Sequence, residues 1–279
     1  MADTKQTKSP GKKPDVATLG GIVIALGGIV GGLLLEGGQI SDIAQGTAAI
    51  IVLGGTLGAV MVNTPMNTML GAGKRLMGIF LVKATAPELV IERIIDYATR
   101  ARKGGIVSLE QEAGSVPDPF LKKALNLAVD GTDLQELRRM LELEISLDEH
   151  HAEAEAKVFE AAGGYAPTIG IIGAVMGLIQ VMKNLADIDE VGHGIAVAFV
   201  ATVYGVAVAN IFFLPAANKI KARAHEEIRV KEMIVEGISG IVEGLNPKLI
   251  RTKLEAYAPH APKAAKKAGA AAAAKPEKA

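Results

Sequence analysis

The stretch Ala161–Met182, which reads AAGGYAPTIGIIGAVMGLIQVM, contains 22 residues and no formal charge. A helix needs about 20 such residues to cross the hydrocarbon core of a bilayer. Glycines weaken a water-exposed helix, but in lipid they let neighbouring helices approach closely. Gly170, Gly173 and Gly177 fall on one helical stripe. We therefore predict a membrane helix that packs through this small-residue face.

Three further uncharged runs predict three more membrane helices. The first predicted span is 16–35, the second is 43–63 and the fourth is 194–218. The first run is longer than the core of a usual signal peptide, so it is interpreted as an uncleaved span. The fourth span has its own small-residue stripe, which includes Ala198 and Gly205. The sequence thus predicts an all-α integral membrane protein with four transmembrane helices.

Charged sequence separates these spans and predicts helices outside the membrane. Thr85-x-x-Glu88 predicts the start of one helix, and Gly104-Gly105 predicts its end. Asp133-x-x-Glu136 predicts the start of a helix with no strong stop before the third span. The predicted organisation is an N-terminal tail (1–15), two spans (16–63), a helical domain (64–160), two spans (161–218), C-terminal helices (219–257) and a disordered Ala/Lys/Pro tail (258–279).

The distribution of basic residues predicts the orientation. Lysine and arginine gather in the N-terminal tail, in the central domain and in the C-terminal region, whereas the two short loops between spans are nearly free of them. Cytoplasmic segments carry an excess of these residues. Both termini and the central domain are therefore predicted to be cytoplasmic.

The composition excludes several classes of function. Hydrophobic residues make up 49% of the chain, and 30 basic residues balance 30 acidic ones. This neutrality, without a basic stripe interleaved with aromatics, argues against nucleic-acid binding. The absence of cysteine excludes disulfides and thiolate metal sites. No G-x-x-x-x-G-K-[ST] pattern is present, so ATP bound in that way is not an energy source.

The four predicted spans lack the groups that ion pathways normally use. None has an aspartate, glutamate, lysine, arginine or histidine near its centre, and such groups usually mark ion and proton routes. Either the protein moves no ions, or another chain supplies the carboxylate. The small-residue stripes suit a helix from a partner, but they suit packing within one chain equally well, and the sequence leaves both alternatives open.

Several individual residues have both a functional and a structural interpretation. Thr202 offers a mid-span hydroxyl that can bind a cation, or simply bond to its own helix, while Ala174 at the facing depth offers no oxygen. Pro167 predicts a hinge, or else a helix start after a break at Gly163-Gly164.

Two charged groups outside the spans have the same ambiguity. His150, His151 and Glu155 resemble metal ligands at helical spacing, but a solvated face is the more common reason for such a pattern. Arg102 closes one predicted helix and Glu110 opens the next, so both suit the helix dipole.

Long motifs in the chain resemble the MotA/PomA family of flagellar stator proteins. AGGYAPTIGIIGAVMGLIQVMKNLAD at 162–187 and GIAVAFVATVYGVAVANIFFLPAANKIK at 194–221 are similar to the third and fourth spans of that family. RKGGIVSLE at 102–110 resembles its torque-generating motif, and VEGISGIVEGLNPKLIRTKLEAY at 235–257 resembles its C-terminal region.

This resemblance implies a motor subunit of the bacterial inner membrane. It implies a homo-oligomer, a pentamer, around a dimer of a MotB-like B subunit that binds peptidoglycan. The B subunit supplies the ion-binding aspartate, which explains the missing carboxylate. Ion flow then turns the ring against the rotor switch protein. Protons are the expected ion and sodium is the alternative, because GAVMGL stands where sodium-type members have GTLxGL and thus places Ala174 at a family threonine position.

The resemblance also assigns roles by position. Arg102 and Glu110 match rotor contacts, Pro167 and Pro215 match prolines that couple ion flow to movement, and Thr202 matches a channel-lining threonine. No enzymatic activity, metal site or cofactor is expected.

Two alternatives are weighed against this interpretation. An energy transducer of the ExbB/TolQ type is related, but such proteins usually have three spans and lack the rotor motif. A membrane transporter or enzyme acting alone would need polar groups that converge inside the bilayer, and the predicted spans lack them.

Overall fold

The computed structural model describes residues 13–82 and 87–257. The predicted helix start at Thr85 and the predicted disordered tail at 258–279 lie outside the described residues. The chain divides into two compact units. Of the described residues, the first unit contains 13–82 together with 148–225, and the second unit contains 87–147 together with 226–257.

The secondary structure is helical almost throughout. The elements up to residue 82 are β1 (Lys13–Pro14), α1 (Val16–Leu35), α2 (Ile40–Ile43), α3 (Gly46–Ala49), the π-helical segment π1 (Ile50–Gly54), α4 (Gly55–Asn63), α5 (Met66–Ile79) and β2 (Leu81–Val82). Those that follow are α6 (Pro87–Gly104), a 3₁₀ turn (Ile106–Leu109), α7 (Glu110–Ser115), α8 (Pro119–Val129), α9 (Leu134–Lys183), α10 (Ile188–Ala207), the π-helical segment π2 (Val208–Phe213), α11 (Leu214–Val242) and α12 (Pro247–Glu255).

Four helical stretches of the described chain are long and apolar enough to cross a membrane. They confirm the predicted all-α fold with four spans, to which the structure adds only the short antiparallel pair of β1 and β2. The first span is α1, and the side chain of Asp15 caps it by accepting hydrogen bonds from two backbone N–H groups. The second span runs from Gly46 to Asn63, because extended backbone at Gln45 separates it from α2.

The third span belongs to α9, which is one uninterrupted helix of 50 residues. This continuity confirms the prediction that a helix extends beyond the third span, and it removes the alternative of a break at Gly163-Gly164. Inside a bilayer, backbone groups have no water to bond, so a helix is retained even where glycines would interrupt it in water. Pro167 therefore lies in a helix interior.

The fourth span begins with α10 and continues through π2 into α11 without an interruption. A π-helical segment carries one extra residue per turn, and such segments are rare and often functional. The described residues contain two of them, π1 in the second span and π2 in the fourth.

The second unit has one hydrophobic core, built from α6, α7, α8, α12 and the adjoining parts of α9 and α11. Ile94, Leu109 and Ile238 are fully buried within it. Helix α6 ends where predicted, because Gly105 has φ +79°, a conformation that favours glycine. The turn that follows places Glu110 at the first position of α7.

Candidate functional site

The third and fourth spans approach each other closely enough for their backbones to touch. A Cβ atom placed on Gly205 would lie 2.5 Å from the carbonyl oxygen of Ala166, and one placed on Gly170 would lie 2.8 Å from that of Ala201. Such distances are far below van der Waals contact, so only glycine fits at either position. The two helices thus meet through their main chains.

The same contact continues towards the other end of the spans. A Cβ atom on Gly177 would lie 2.7 Å from the carbonyl oxygen of Gly194 and 2.8 Å from the amide nitrogen of Ala198. At Gly173 it would lie 2.7 Å from the Cβ of Ala201. The small-residue stripes of the two spans are therefore buried against each other within one chain.

The opposite faces of these spans carry large apolar side chains that the chain leaves uncovered. Phe199 is 71% exposed and Ile171 is 57% exposed. These faces are available to lipid or to other chains, whereas the small-residue stripes are not.

Pro167 lies at the contact between the third and fourth spans, and Pro215 follows the leucine that packs near Pro167. The Cα of Pro167 lies 3.2 Å from the Cβ position of Gly205. Because proline has no N–H, Pro167 leaves the carbonyl of Gly163 without its usual donor four residues on. Gly163 in turn packs against Leu214, since a Cβ atom there would lie 2.6 Å from Cδ2 of that leucine. Leu214 directly precedes the exposed Pro215, and π2 directly precedes Leu214.

The hydroxyl of Thr202 bonds within its own helix. Its Oγ1 atom donates to the carbonyl oxygen of Ala198 at 3.2 Å. This is the structural alternative that the sequence left open, although the oxygen keeps lone pairs that can accept a further bond. Thr202 and Ala174 are both half-buried.

The histidine pair does not form a metal site in the described part of the chain, where no group of three potential ligands is found. Glu155 forms an ion pair with Arg75 instead. His150 and His151 are exposed to solvent, as expected for a solvated face.

Arg102 and Glu110 lie on the surface of the second unit. Both are exposed, and within the described residues neither side chain has a hydrogen bond or an ion pair. The helices that carry these two residues are joined by an ion pair between Arg100 of α6 and Glu112 of α7.

Arg102 also lines a cleft of about 340 Å³ where three helices end. Gly105, Gly131 and Gly244 follow the C-terminal ends of α6, α8 and α11 within two residues, and each has a positive φ. Helix C-termini carry partial negative charge, which favours a cation nearby. The structure therefore fits the capping interpretation of Arg102 and also leaves its guanidinium free to contact another molecule.

Comparison with known proteins identifies the family. The profile of the MotA/TolQ/ExbB proton channel family matches residues 112–233, and that of the Motility protein A N-terminal region matches residues 19–100. Motility protein A of Bacillus subtilis (strain 168) is 35% identical over 250 residues, which cover 88% of this chain and 91% of that protein. The chain belongs to the motility protein A (MotA) family. This confirms the predicted resemblance and favours it over the ExbB/TolQ alternative, because the N-terminal match is specific to motility protein A.

Two solved structures related to this MotA-family chain agree with the fold. The C. jejuni MotAB structure has a TM-score of 0.84 and 31% identity, covering 89% of this chain and 97% of that chain. The flagellar MotAB stator complex from Bacillus subtilis has a TM-score of 0.79 and 33% identity, covering 88% and 96%. Membership of this family of channel and stator proteins confirms that the chain is not an enzyme. With its four apolar helices, the chain is a multi-pass inner-membrane protein.

Two polar clusters of this MotA-family chain escaped the sequence analysis. Asp15, which is 6% exposed, binds Lys219 and Arg223. The hydrogen bond from Lys219 is the main cause that lowers the pKa of Asp15, although burial opposes it. Tyr204 donates to the carbonyl of Ile43 at 2.5 Å. An aspartate directly before an apolar run is a recognisable helix cap, but its partners lie some 200 residues away and no sequence signal joins them.

Proposed function

We propose that this chain is the A subunit of a flagellar stator, which passes ions together with a B subunit and turns the flow into torque. One observation carries the proposal. The membrane spans, closely packed over their small-residue stripes, hold no aspartate, glutamate, lysine, arginine or histidine in their central parts. A chain that conducts ions in this way needs a carboxylate from another subunit.

The proposed assembly is a pentamer of this chain around a dimer of the B subunit. The two solved relatives are MotAB complexes, which supports a partner of this type. The exposed apolar faces of the third and fourth spans supply the surface for it, since their glycine faces are already occupied by each other.

The proposed ion is the proton, with sodium as the alternative. A proton can move to a single carboxylate, whereas a hard cation such as sodium requires several oxygen ligands. Ala174 supplies no oxygen, and the hydroxyl proton of Thr202 is engaged by its own helix. Swimming should therefore continue without sodium and stop with a protonophore. Motility that follows external sodium and resists the protonophore would assign sodium.

We further propose that Pro167, Pro215 and Thr202 couple ion movement to the ring. The two prolines interrupt the hydrogen bonding of neighbouring helices, and Gly163 and Leu214 connect them. Both termini and the second unit are proposed to be cytoplasmic, which places Arg102 and Glu110 on the side of the rotor.

A conduction assay tests the channel proposal. Expressed alone, the chain should not acidify cells, because its spans carry no ionisable ligand. Co-expression with a B subunit whose autoinhibitory segment has been removed should produce an acid leak. A leak of equal size from this chain alone would refute the argument from the missing carboxylate.

A charge-reversal set tests the rotor contacts. Arg102→Glu and Glu110→Lys should impair swimming while leaving membrane abundance and ion leak unchanged, because charges across an interface set its register. Lys103→Glu is the matched control, since Lys103 is an exposed cation in the same last turn of α6. It should leave swimming nearly intact.

The capping interpretation predicts a different result. Helix-end charges contribute about 0.3–1 kcal/mol at exposed sites, so as caps these residues would alter abundance and swimming in parallel. Partial rescue of swimming by reversing a complementary charge on the rotor switch protein supports the contact. Parallel losses without any rescue would refute it.

A further inference from the structure

The turn between α6 and α7 exposes one apolar side chain. The 3₁₀ turn Ile106–Leu109 contains three apolar residues. Leu109 is fully buried, and Ile106 packs against the core of the second unit. Val107 is 63% exposed, which makes it the most exposed large apolar side chain among the described residues of that unit. The core of the second unit therefore does not explain why an apolar residue stands at this position.

The structure of the turn holds Val107 in a defined position. Gly105 starts the turn with φ +79°. The hydroxyl of Ser108 donates to the carbonyl oxygen of Gly105 at 2.6 Å, and the backbone N–H of Ser108 donates to the same oxygen at 3.1 Å. Leu109, fully buried, fixes the end of the turn in the core. A side chain that is already ordered loses little conformational freedom on binding, so Val107 is suited to contact another molecule.

Opposite charges flank Val107 along the chain. Arg102 precedes it and Glu110 follows it, and both are exposed without a hydrogen bond or an ion pair in the described part of the chain. Arg100 and Glu112, which lie further from the turn on either side, pair with each other. The outer charges are thus satisfied within the chain, whereas the inner ones are not. An apolar centre with charged residues around it is the usual anatomy of a protein–protein interface.

We propose that Val107 is the apolar centre of the contact with the rotor switch protein, between Arg102 and Glu110. This inference rests on the proposed function and adds a residue that determines the strength of the contact. The surface that fits is an apolar patch with an acidic residue facing Arg102 and a basic residue facing Glu110. An anionic lipid surface would repel Glu110, so the two charges favour a protein that carries both signs. Burial of Val107 excludes water from the neighbouring charge pairs, and such pairs interact more strongly because they are less screened.

The nearly isosteric variant Val107→Thr tests the proposal, because valine and threonine are both β-branched and have similar shapes. The full-length chain in complex with its B subunit is immobilised, and binding of the purified rotor switch protein is measured by biolayer interferometry at low and at high salt. Binding should weaken about fivefold, the effect of losing the burial of most of a valine side chain. It should also become more sensitive to salt, because water then reaches the charge pairs, whereas a merely structural role would leave the salt dependence unchanged.

Two further variants serve as controls. Val107→Ile should retain binding, since it keeps the apolar surface. Leu249→Thr should leave both affinity and salt dependence unchanged, because Leu249 is a 48% exposed apolar residue of α12, outside the turn. Circular dichroism of each variant checks that the helices remain folded.

The possible outcomes separate this inference from the proposed function. Native affinity and native salt dependence of Val107→Thr would overturn the inference while leaving the rotor contact in place. Absence of binding by the native complex at either salt concentration would refute the rotor contact itself. Dissociation of the stator complex by Val107→Thr, seen as a loss of mass in size-exclusion chromatography, would assign this surface to a neighbouring copy of the chain and overturn the inference.

Discussion

Replacing Gly205 by alanine is the sharpest test of the contact between the third and fourth spans. The new Cβ atom would lie 2.5 Å from the carbonyl oxygen of Ala166 and 3.2 Å from the Cα of Pro167. A comfortable carbon–oxygen contact is about 3.3 Å, so the helices would have to separate by about 0.8 Å. Both opposing atoms belong to the backbone, and no change of rotamer can relieve the overlap.

The energetic cost follows from two opposing effects. Overpacking of a rigid contact typically costs about 1–3 kcal/mol, and the upper end applies because the overlap is with main chain. Alanine regains up to about 1 kcal/mol over glycine through its helix propensity. We therefore expect Gly205→Ala to lower the free energy of unfolding by about 2 kcal/mol. Separation of the helices should also reduce the ion leak of the stator complex, because Pro167 lies in the contact.

The assay is unfolding of the purified chain by titration with sodium dodecyl sulfate in mixed micelles, followed by circular dichroism. Gly192→Ala is the matched control, because Gly192 lies in the same helix and has no atom within 4 Å of its Cβ position. That variant should keep or slightly raise stability. Coincident unfolding curves for the two variants would refute the close approach of the backbones.

Three further predictions follow from other parts of the structure. Leu109→Ala should lower stability by about 2–5 kcal/mol, because this side chain is fully buried just before Glu110, and thermal unfolding checks this. Burial raises the pKa of Glu236, but hydrogen bonds from Lys253 and Arg138 together outweigh it and keep that pKa below its usual 4.5. The stabilisation by Glu236 is therefore present above that pH and lost as the pH falls, so the stability difference between the native chain and Glu236→Gln, measured against pH, should shrink below about pH 4.5. In intact cells Ser41→Cys should react with an impermeant thiol reagent and Ser108→Cys should not; labelling at position 108 would reverse the proposed orientation.

The sequence predicted the spans well because the bilayer sets their length and polarity. Uncharged runs of about 20 residues have few alternatives in a membrane, and the helix bounds Val16–Leu35 match the first run. The continuity of α9 was also predictable, since the segment from Leu134 to Lys183 contains no stop signal strong enough to end a helix in lipid. Glycine spacing predicted which helix faces carry only small residues. It left open whether those faces pack against a helix of a partner or against a neighbouring span of the same chain. Only the packing of Gly170 and Gly205 answers that question.

Other features depended on contacts that no local pattern contains. The pairing of Asp15 with Lys219 and Arg223 joins opposite ends of the chain. The hydroxyl of Ser108 donates to the carbonyl of Gly105, because the positive φ of that glycine directs the chain into a 3₁₀ turn before α7 begins. The π-helical segments lie within continuous apolar runs, so counting apolar residues along the sequence does not reveal them.

The contact between Gly163 and Leu214 suggests to us a route by which a change at Pro167 in one span reaches Pro215 in the other, and we propose it as the coupling path. Each proline removes one helical hydrogen bond, and a helix bends most readily where such a bond is missing. The residue whose carbonyl loses its donor to Pro167 is Gly163, and Gly163 packs against Leu214 at the junction between π2 and Pro215. The deformable points of the two helices therefore touch, while the glycine contacts on one side of them hold the helices together. Since the prolines adjoin one contact, we propose that bending of α9 at Pro167 displaces Leu214 and is accommodated at π2, a π-helical segment of the kind often found at functional sites.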